Sequence, residues 1–306
     1  MNFLSDIMID ALRFFSFFGG YGWGIVWLTI AVNLALYPLT LSSIKSMGAM
    51  QRVQPKMKEL QEKYKDKPQE MQKEVMGLYK SEGVNPLGGC LPMLLKIPFF
   101  IALFWAFQST AFLEIASNPA NNTGFLWING RIPASSFASP LLVAKLAKEK
   151  VILKDEKTTD MYVWGVTTLV GEKTVKDLLW ESNDKNVDHI KKVKEGLSTK
   201  IKGLGDSDVQ SIIIAWGKTN SLAKPDRLPT PFGSLSILAI LVGISTYFMQ
   251  KSMPQAGGGD QAKMMTMFMP VFLVLICWNF PAGVQLYWLV SNAVAAVQQY
   301  LIMRKA

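Results

Sequence analysis

The sequence predicts an all-α polytopic membrane protein: five transmembrane helices with a cytoplasmic helical hairpin, plus a small α+β extracytoplasmic insert. Composition is the first reason, since half of the 306 residues are hydrophobic and the mean hydropathy is +0.21. The second is a set of five apolar stretches, at about 23–39, 93–113, 232–249, 264–280 and 284–303, each long enough against the roughly 17–25 residues that cross a bilayer. The shortest of them hint at tilting or a locally thinned membrane. The third is where the basic residues fall. Nine Lys or Arg lie in 45–80, Lys251 and Lys263 sit between the third and fourth stretches, and Arg304 and Lys305 follow the last. Five crossings put all three groups on one side, which the positive-inside rule makes the cytoplasm, so the N-terminus is expected outside.

The elements follow in order, in four predicted regions. Residues 1–20 read as an interfacial amphipathic helix: Phe3, Leu4, Ile7, Ala11, Phe14, Phe15 and Phe18 recur at helical spacing, with Asp6, Asp10 and Arg13 on the other side. Gly19-Gly20-Tyr21-Gly22 turns it into the first span. No basic n-region or small-residue cleavage site marks it as a removed signal. Region 21–113 holds the first two spans and, between them, a hairpin at 41–84. There Met47, Met50, Val53, Met57, Leu60 and Tyr64 recur every three or four residues, Lys65-Asp66-Lys67-Pro68 breaks the pattern, and Met71, Val75, Leu78 and Tyr79 resume it. Two antiparallel helices joined by a tight turn fit best. Their Met-bearing stripe fits two readings, a solvated cap or an adaptable contact surface through Met50, Met57, Leu60 and Met71. Asn85-Pro86-Leu87-Gly88-Gly89-Cys90-Leu91-Pro92 then joins this polar arm to the second span.

Region 114–232 is polar and falls outside. Trp164 to Val170 and Val209 to Trp216 read as strands and Asp188 to Lys202 as a helix, which makes a small α+β module. His189 has no second His and no Cys nearby, so it reads as a surface histidine and not a metal ligand. The last three spans occupy 233–306, with residues 254–262 as a flexible cytoplasmic link. Cys90 and Cys277 fall on opposite ends of the membrane region, which argues against a disulfide.

The chain carries no Walker loop, His-Glu-x-x-His, Gly-x-Ser-x-Gly or Cys-x-x-Cys. Acidic residues are missing from the interior of every predicted span, so a transporter's proton relay lacks its usual groups. The excess of 32 Lys and Arg over 23 Asp and Glu is explained by topology, and no specific nucleic acid is expected as a partner. The spans do carry a sparse polar set: Thr29, Asn33, Lys96, Gln250, and Gln285, Trp288, Asn292 and Gln299 on one face of the last helix. Such groups are costly against lipid and should face protein or a wet cavity. Interhelical hydrogen bonding is one reading of Gln285, Asn292 and Gln299; a groove lining is the other. Lys96 lies about one helical turn, roughly 5 Å, inside its span, so snorkelling and a shared inward-opening groove with Asn33 both fit.

The residues resemble the YidC-type membrane protein insertases, with their oxidase-assembly and albino relatives. The resemblance rests on Leu36-Tyr37-Pro38-Leu39-Thr40, the Met-rich hairpin with Gln54-Pro55-Lys56, Leu78-Tyr79-Lys80, the Asn85 to Pro92 junction, Ile97-Pro98-Phe99-Phe100, Phe268-Met269-Pro270, and Asn279-Phe280-Pro281-Ala282-Gly283 through Ser291-Asn292. It covers nearly everything except about 130–227. It implies a bacterial plasma (inner) membrane protein that catalyses no covalent reaction and needs no cofactor. In such a protein a groove open to the cytoplasm and to lipid receives nascent membrane proteins and releases their apolar helices into the bilayer. Shortening the low-dielectric path lowers the cost of moving polar groups. By the resemblance, Thr29 and Asn33 are groove positions of the first core span, Phe100 an apolar substrate contact and Trp288 an aromatic one.

Two departures stand out. Asn33 stands where bacterial relatives usually have a groove arginine, and Lys96 where they usually have glutamine, so a positive charge has moved between helices or the groove does without one. The resemblance makes the ribosome and the Sec translocon candidate partners beside substrates and the lipid bilayer; the sequence ends at Ala306, directly after Arg304-Lys305, without the basic tail some relatives use at the ribosome, so docking there by a tail is not expected. The insert between the second and third core spans also differs from relatives whose external domain precedes the first. A membrane-protein assembly scaffold without insertase activity is the nearer rival, and a small transporter the more distant one.

Overall fold

Helix α1 (Asn2–Ser16) ends in a turn that suits glycine: Gly19 and Gly20 adopt φ of +116° and +96°, a region without steric cost only when Cβ is absent. Helix α2 (Tyr21–Ala35) follows, and the axis bends by 107° between Phe3–Ser16 and Tyr21–Ala35. The computed structural model describes residues 2–65, 67–84, 91–117, 121, 123–128, 131–133, 139–154, 160–163, 185–217, 221–226, 228–230, 233–252 and 260–305. The chain forms two compact units, one of residues 1–28, 102–237 and 279–286, the other of 29–101, 238–278 and 287–306.

In the first unit, α1 uses two apolar faces differently. Met8, Ile9 and Leu12 are buried, whereas Phe3, Leu4, Ile7 and Phe14 are exposed. The exposed set belongs to the Phe-rich stripe that the sequence marks as interfacial. Gly24 lets α1 and α2 approach: a Cβ there would sit 3.2 Å from both the Leu12 carbonyl oxygen and the Ser16 backbone nitrogen. The second apolar stretch is broken. Helix α5 (Leu91–Gln108) stops at Ser109, whose hydroxyl accepts the Phe112 N–H at 3.2 Å, and α6 (Thr110–Ser117) continues. Phe107 and Phe112 pack edge to face across this break, centroids 4.5 Å apart.

The insert is built of helices and short strands. Strands β1 (Arg131–Pro133), β2 (Ile152–Lys154) and β3 (Asp160–Val163) pair antiparallel in the order β1-β3-β2, and β4 (Leu228–Thr230) pairs with β5 (Gly233–Leu235). Helix α7 (Pro140–Lys148) buries Leu142 and Leu146. Helix α8 (Val187–Ser198) starts where Asn186 accepts the N–H groups of Asp188 and His189, the expected cap for a helix that the sequence places at Asp188 to Lys202.

Three expectations change here. Val209 to Trp216 is not a strand but part of α9 (Asp206–Gly217). Its β-branched run imitates a strand, yet Val209, Ile212, Ile213 and Trp216 are buried while Ile214 is exposed, a helical period. Asp208 also accepts the Gly205 N–H at 3.0 Å, half of a capping box. His189 is buried, not on the surface, because the amphipathic period of α8 turns it inward with Ile190, Val193 and Leu197. The link assigned to 254–262 is shorter at its far end, since helix begins at Asp260. Trp164 to Val170 and Asn85 to Cys90 lie outside the described residues.

The second unit carries the hairpin. α2 ends at Ala35, and after Leu36 helix α3 (Tyr37–Lys63) begins with Pro38 in its first turn, where a missing N–H costs nothing. After Tyr64 to Lys67, α4 (Pro68–Ser81) returns. Met57 meets Tyr79, Lys56 meets Glu82, and Met50 and Val53 pack with Val84, so numbers fall on one helix as they rise on the other. The helices are antiparallel. Helices α10 (Ile237–Ser252), α11 (Asp260–Cys277) and α12 (Ala282–Lys305) complete the chain. Gly243 lets α10 touch α11, since a Cβ there would lie 3.2 Å from the Pro270 carbonyl oxygen.

Among the described residues no single helix is long and apolar enough to cross a membrane. The bent pair Phe3–Ser16 and Tyr21–Ala35 meets that measure together, and Leu95–Gln108, Ile237–Lys251 and Met267–Cys277 are shorter apolar helices.

Candidate functional site

Asn33 lies one turn beyond Thr29 on α2, and its side-chain N–H donates to the Thr29 carbonyl oxygen at 2.8 Å. That bond fixes the amide, because a carbonyl can only accept. The Asn33 oxygen therefore points the other way, and there it accepts the Lys96 ammonium of α5 at 2.7 Å. The same ammonium donates to the Ser291 hydroxyl of α12 at 3.3 Å. Three apolar helices thus meet around one cation. Thr29 and Asn33 are buried and Lys96 is half-buried, with no ion pair among the described residues. The ammonium is held by neutral acceptors, neither of which carries an opposing charge.

Beside the cation is a greasy wall. Phe100, one turn after Lys96 on α5, meets Trp288 of α12 edge to face, with centroids 5.2 Å apart. Asn292 donates to the hydroxyls of Ser245 and Thr246 at 2.9 and 3.0 Å, which ties α12 to α10. In the first unit, Gln285 accepts from Ser236 at 3.3 Å and donates to the Phe280 carbonyl at 3.0 Å. For Asn292 and Gln285 these bonds are the interhelical or local kind. The structure thus brings together Asn33 and Lys96, and separately Phe100 and Trp288.

The hairpin residues stand differently. Met50 and Met57 are buried, with the Tyr79 hydroxyl 3.0 Å from the Met57 sulfur, while Leu60 and Met71 are half-buried. The Met stripe turns toward the hairpin's own second helix because that is the apolar surface nearest to it. Met50 and Met57 are therefore removed from any outward contact face, and Met76 is the methionine exposed on α4.

Four further residues carry polar contacts to which sequence reasoning gave no role. Ser291 holds Lys96. Gln298 donates to the Asn33 carbonyl at 3.3 Å. Positions 291 and 298 are seven apart and share a face of α12 beside the stripe of Gln285, Trp288, Asn292 and Gln299, which the sequence reading did not extend to them. In the insert, buried Lys224 donates to the Trp216 carbonyl, and buried Asp226 accepts the Trp127 indole N–H at 2.9 Å. Their loop also accepts the first N–H groups of α12, Ala282 to the Lys224 carbonyl at 2.6 Å and Gly283 to that of Leu222 at 2.9 Å. Nothing in the pattern of 221–226 announces a buried lysine.

The family described as the 60Kd inner membrane protein matches residues 13–171 and 207–306. A membrane protein insertase YidC of Endomicrobium trichonymphae is 29% identical over 307 residues, 99% of this chain and 40% of that protein. The protein of the same name from Janthinobacterium sp. (strain Marseille) is 31% identical over 94% of this chain and 34% of its own length. That from Legionella pneumophila (strain Corby) is 27% identical over 99% and 36%. The chain spans two fifths or less of the length of these curated relatives.

Proposed function

Since the chain belongs to the 60Kd inner membrane protein family, we propose that it is a membrane protein insertase of a bacterial inner membrane, working by binding and release without covalent catalysis. Thr29, Asn33, Lys96, Phe100, Trp288 and Asn292 line its groove, and Gln285 supports the start of the last span. The polar flank of a nascent membrane protein enters from the cytoplasm and meets the Lys96 cation. The apolar helix slides along Phe100 and Trp288 into lipid. Five spans place the N-terminus and residues 114–232 outside and the hairpin and C-terminus inside. The four regions are an interfacial helix at 1–20, two spans with the hairpin at 21–113, the external insert at 114–232 and three spans at 233–306. Substrates and lipid are the partners of this core, with the ribosome and the Sec translocon as further candidates.

The observation that supports this reading most is the Lys96 ammonium on Asn33 and Ser291, a cation held without a carboxylate in an apolar helix set. Polar groups inside such a set are costly and mark substrate pathways. Attraction to a carboxylate about 4 Å away is worth a few kcal/mol at intermediate dielectric before desolvation is deducted, enough to bias insertion.

Depletion of the protein, followed by insertion of a small single-span substrate into native vesicles, tests the proposal. Insertion is expected to fail and to return on adding the chain back. Normal insertion in depleted vesicles, with assembly of larger complexes impaired, would leave the scaffold reading in its place.

A further inference from the structure

Lys96 is a long, flexible lever, and nothing in its own chemistry fixes where its charge sits. A lysine has four rotatable side-chain bonds and about 2 kcal/mol of rotamer entropy, so an ammonium one turn inside a membrane would by default swing toward water. Here it is tethered twice, to the Asn33 oxygen at 2.7 Å and to the Ser291 hydroxyl at 3.3 Å. The Asn33 acceptor is itself aimed, since the amide nitrogen is committed to the Thr29 carbonyl. Behind it, the Gln298 amide donates to the Asn33 backbone carbonyl at 3.3 Å.

Gln298 is the unusual member. It is only 7% exposed, and its Oε1 has no hydrogen-bond partner among the described residues. The nitrogen must face the Asn33 carbonyl, because two carbonyl oxygens repel, so the acceptor cannot be satisfied by flipping the amide. A buried unsatisfied acceptor is costly. An apolar side chain of similar length would avoid that cost, and what it would lose is the donation to Asn33. Ser291 and Gln298 lie seven residues apart on one face of α12, so one helix carries both supports.

We infer that Ser291 and Gln298 are positioning residues for the groove cation: Ser291 holds the Lys96 ammonium directly, and Gln298 holds the Asn33 backbone that carries its other acceptor. This rests on the reading of Lys96 as the charge that receives acidic substrate flanks. It adds that α12 decides where the charge is presented, so that movement of this helix moves or releases the cation. The ligand class is a carboxylate flank, and the ammonium has one N–H left for it after its two tethers.

The test is the ratio of insertion rates for two single-span substrates that differ only in an acidic or a neutral translocated tail, measured with reconstituted full chain. Lys96→Gln is expected to lower the acidic-to-neutral ratio about tenfold, the scale of losing one charge-assisted contact. Ser291→Ala and Gln298→Met are each expected to lower it about threefold, and Ser291→Thr, which keeps the hydroxyl, to restore it. If Lys96→Gln lowers the ratio while Ser291→Ala and Gln298→Met leave it at the parent value, the positioning role is wrong and the groove charge stands. Equal loss for both tails in the α12 variants would also overturn it, as mere destabilisation. If Lys96→Gln itself leaves the ratio unchanged, the groove-charge reading falls and this inference falls with it.

Discussion

Lys96 and Asn33 show how two separate residues make one arrangement. Either alone looks like a loss, a lysine in lipid or an asparagine where the family resemblance implies a cation, but the 2.7 Å bond makes them a pair. Exchanging the two, with arginine at 33 and glutamine at 96, keeps one cation and one amide oxygen across the same gap, so the double variant should work. Asn33→Arg alone places a second cation within bonding range of the first, a repulsion on the order of a few kcal/mol at intermediate dielectric. Insertion of acidic-tailed substrates is therefore expected to fall in Asn33→Arg and in Lys96→Gln, and to recover in Asn33→Arg/Lys96→Gln. A double-mutant cycle reads the coupling, and additive losses would show that the two side chains act independently.

At the scale of elements, the hairpin depends on its buried face. Met57→Ala deletes a fully buried side chain and should cost about 2–5 kcal/mol, whereas exposed Lys58→Gln should stay within about 0.5 kcal/mol. Hydrogen exchange across 37–81 distinguishes them. The Lys56 ammonium is held above the ordinary lysine pKa by its hydrogen bond to Glu82 and by that carboxylate's charge. A raised folded pKa adds stability that is complete below the unfolded lysine value and lost as pH rises through the folded one. Hairpin protection should thus be flat through neutral pH and decline only in the alkaline range, and Glu82→Gln should remove that decline. In the insert, Lys224→Met strips the Trp216 carbonyl of a buried donor, a loss of about 1–3 kcal/mol. Thermal melting in detergent should register it as a few degrees; an unchanged midpoint would show that the Lys224 bond to the Trp216 carbonyl adds nothing to stability.

For the whole molecule the arrangement across the membrane is the decisive quantity. In a variant lacking Cys90 and Cys277, single cysteines at Asp10, Lys67 and Lys191 are all on exposed positions. Membrane-impermeant reagent on intact cells should modify those at 10 and 191 and spare the one at 67. Labelling at 67 from outside would overturn the topology. Ser5, buried on α1, would be a poor probe whatever the topology.

The helical elements whose signals are local follow from the order of residues alone. The period of the hairpin, the break at 65–68, the Gly19-Gly20 turn and the Asn186 cap each depend on neighbours within a few residues, and the helices lie where those signals put them. Tertiary structure decided everything that depends on which apolar face meets which. It turned Met50 and Met57 inward, buried His189, and made a helix of the β-branched run 209–216, because packing outweighs a propensity worth less than about 1 kcal/mol per residue. The stripe of Gln285, Trp288, Asn292 and Gln299 on the last helix was legible from spacing, but neither its partners nor the parts of Ser291 and Gln298 beside it were. Asn292 bonds across to α10, Gln298 bonds to Asn33, and Ser291 takes the cation, since a hydrogen bond needs a partner within about 3 Å and sequence carries no distances.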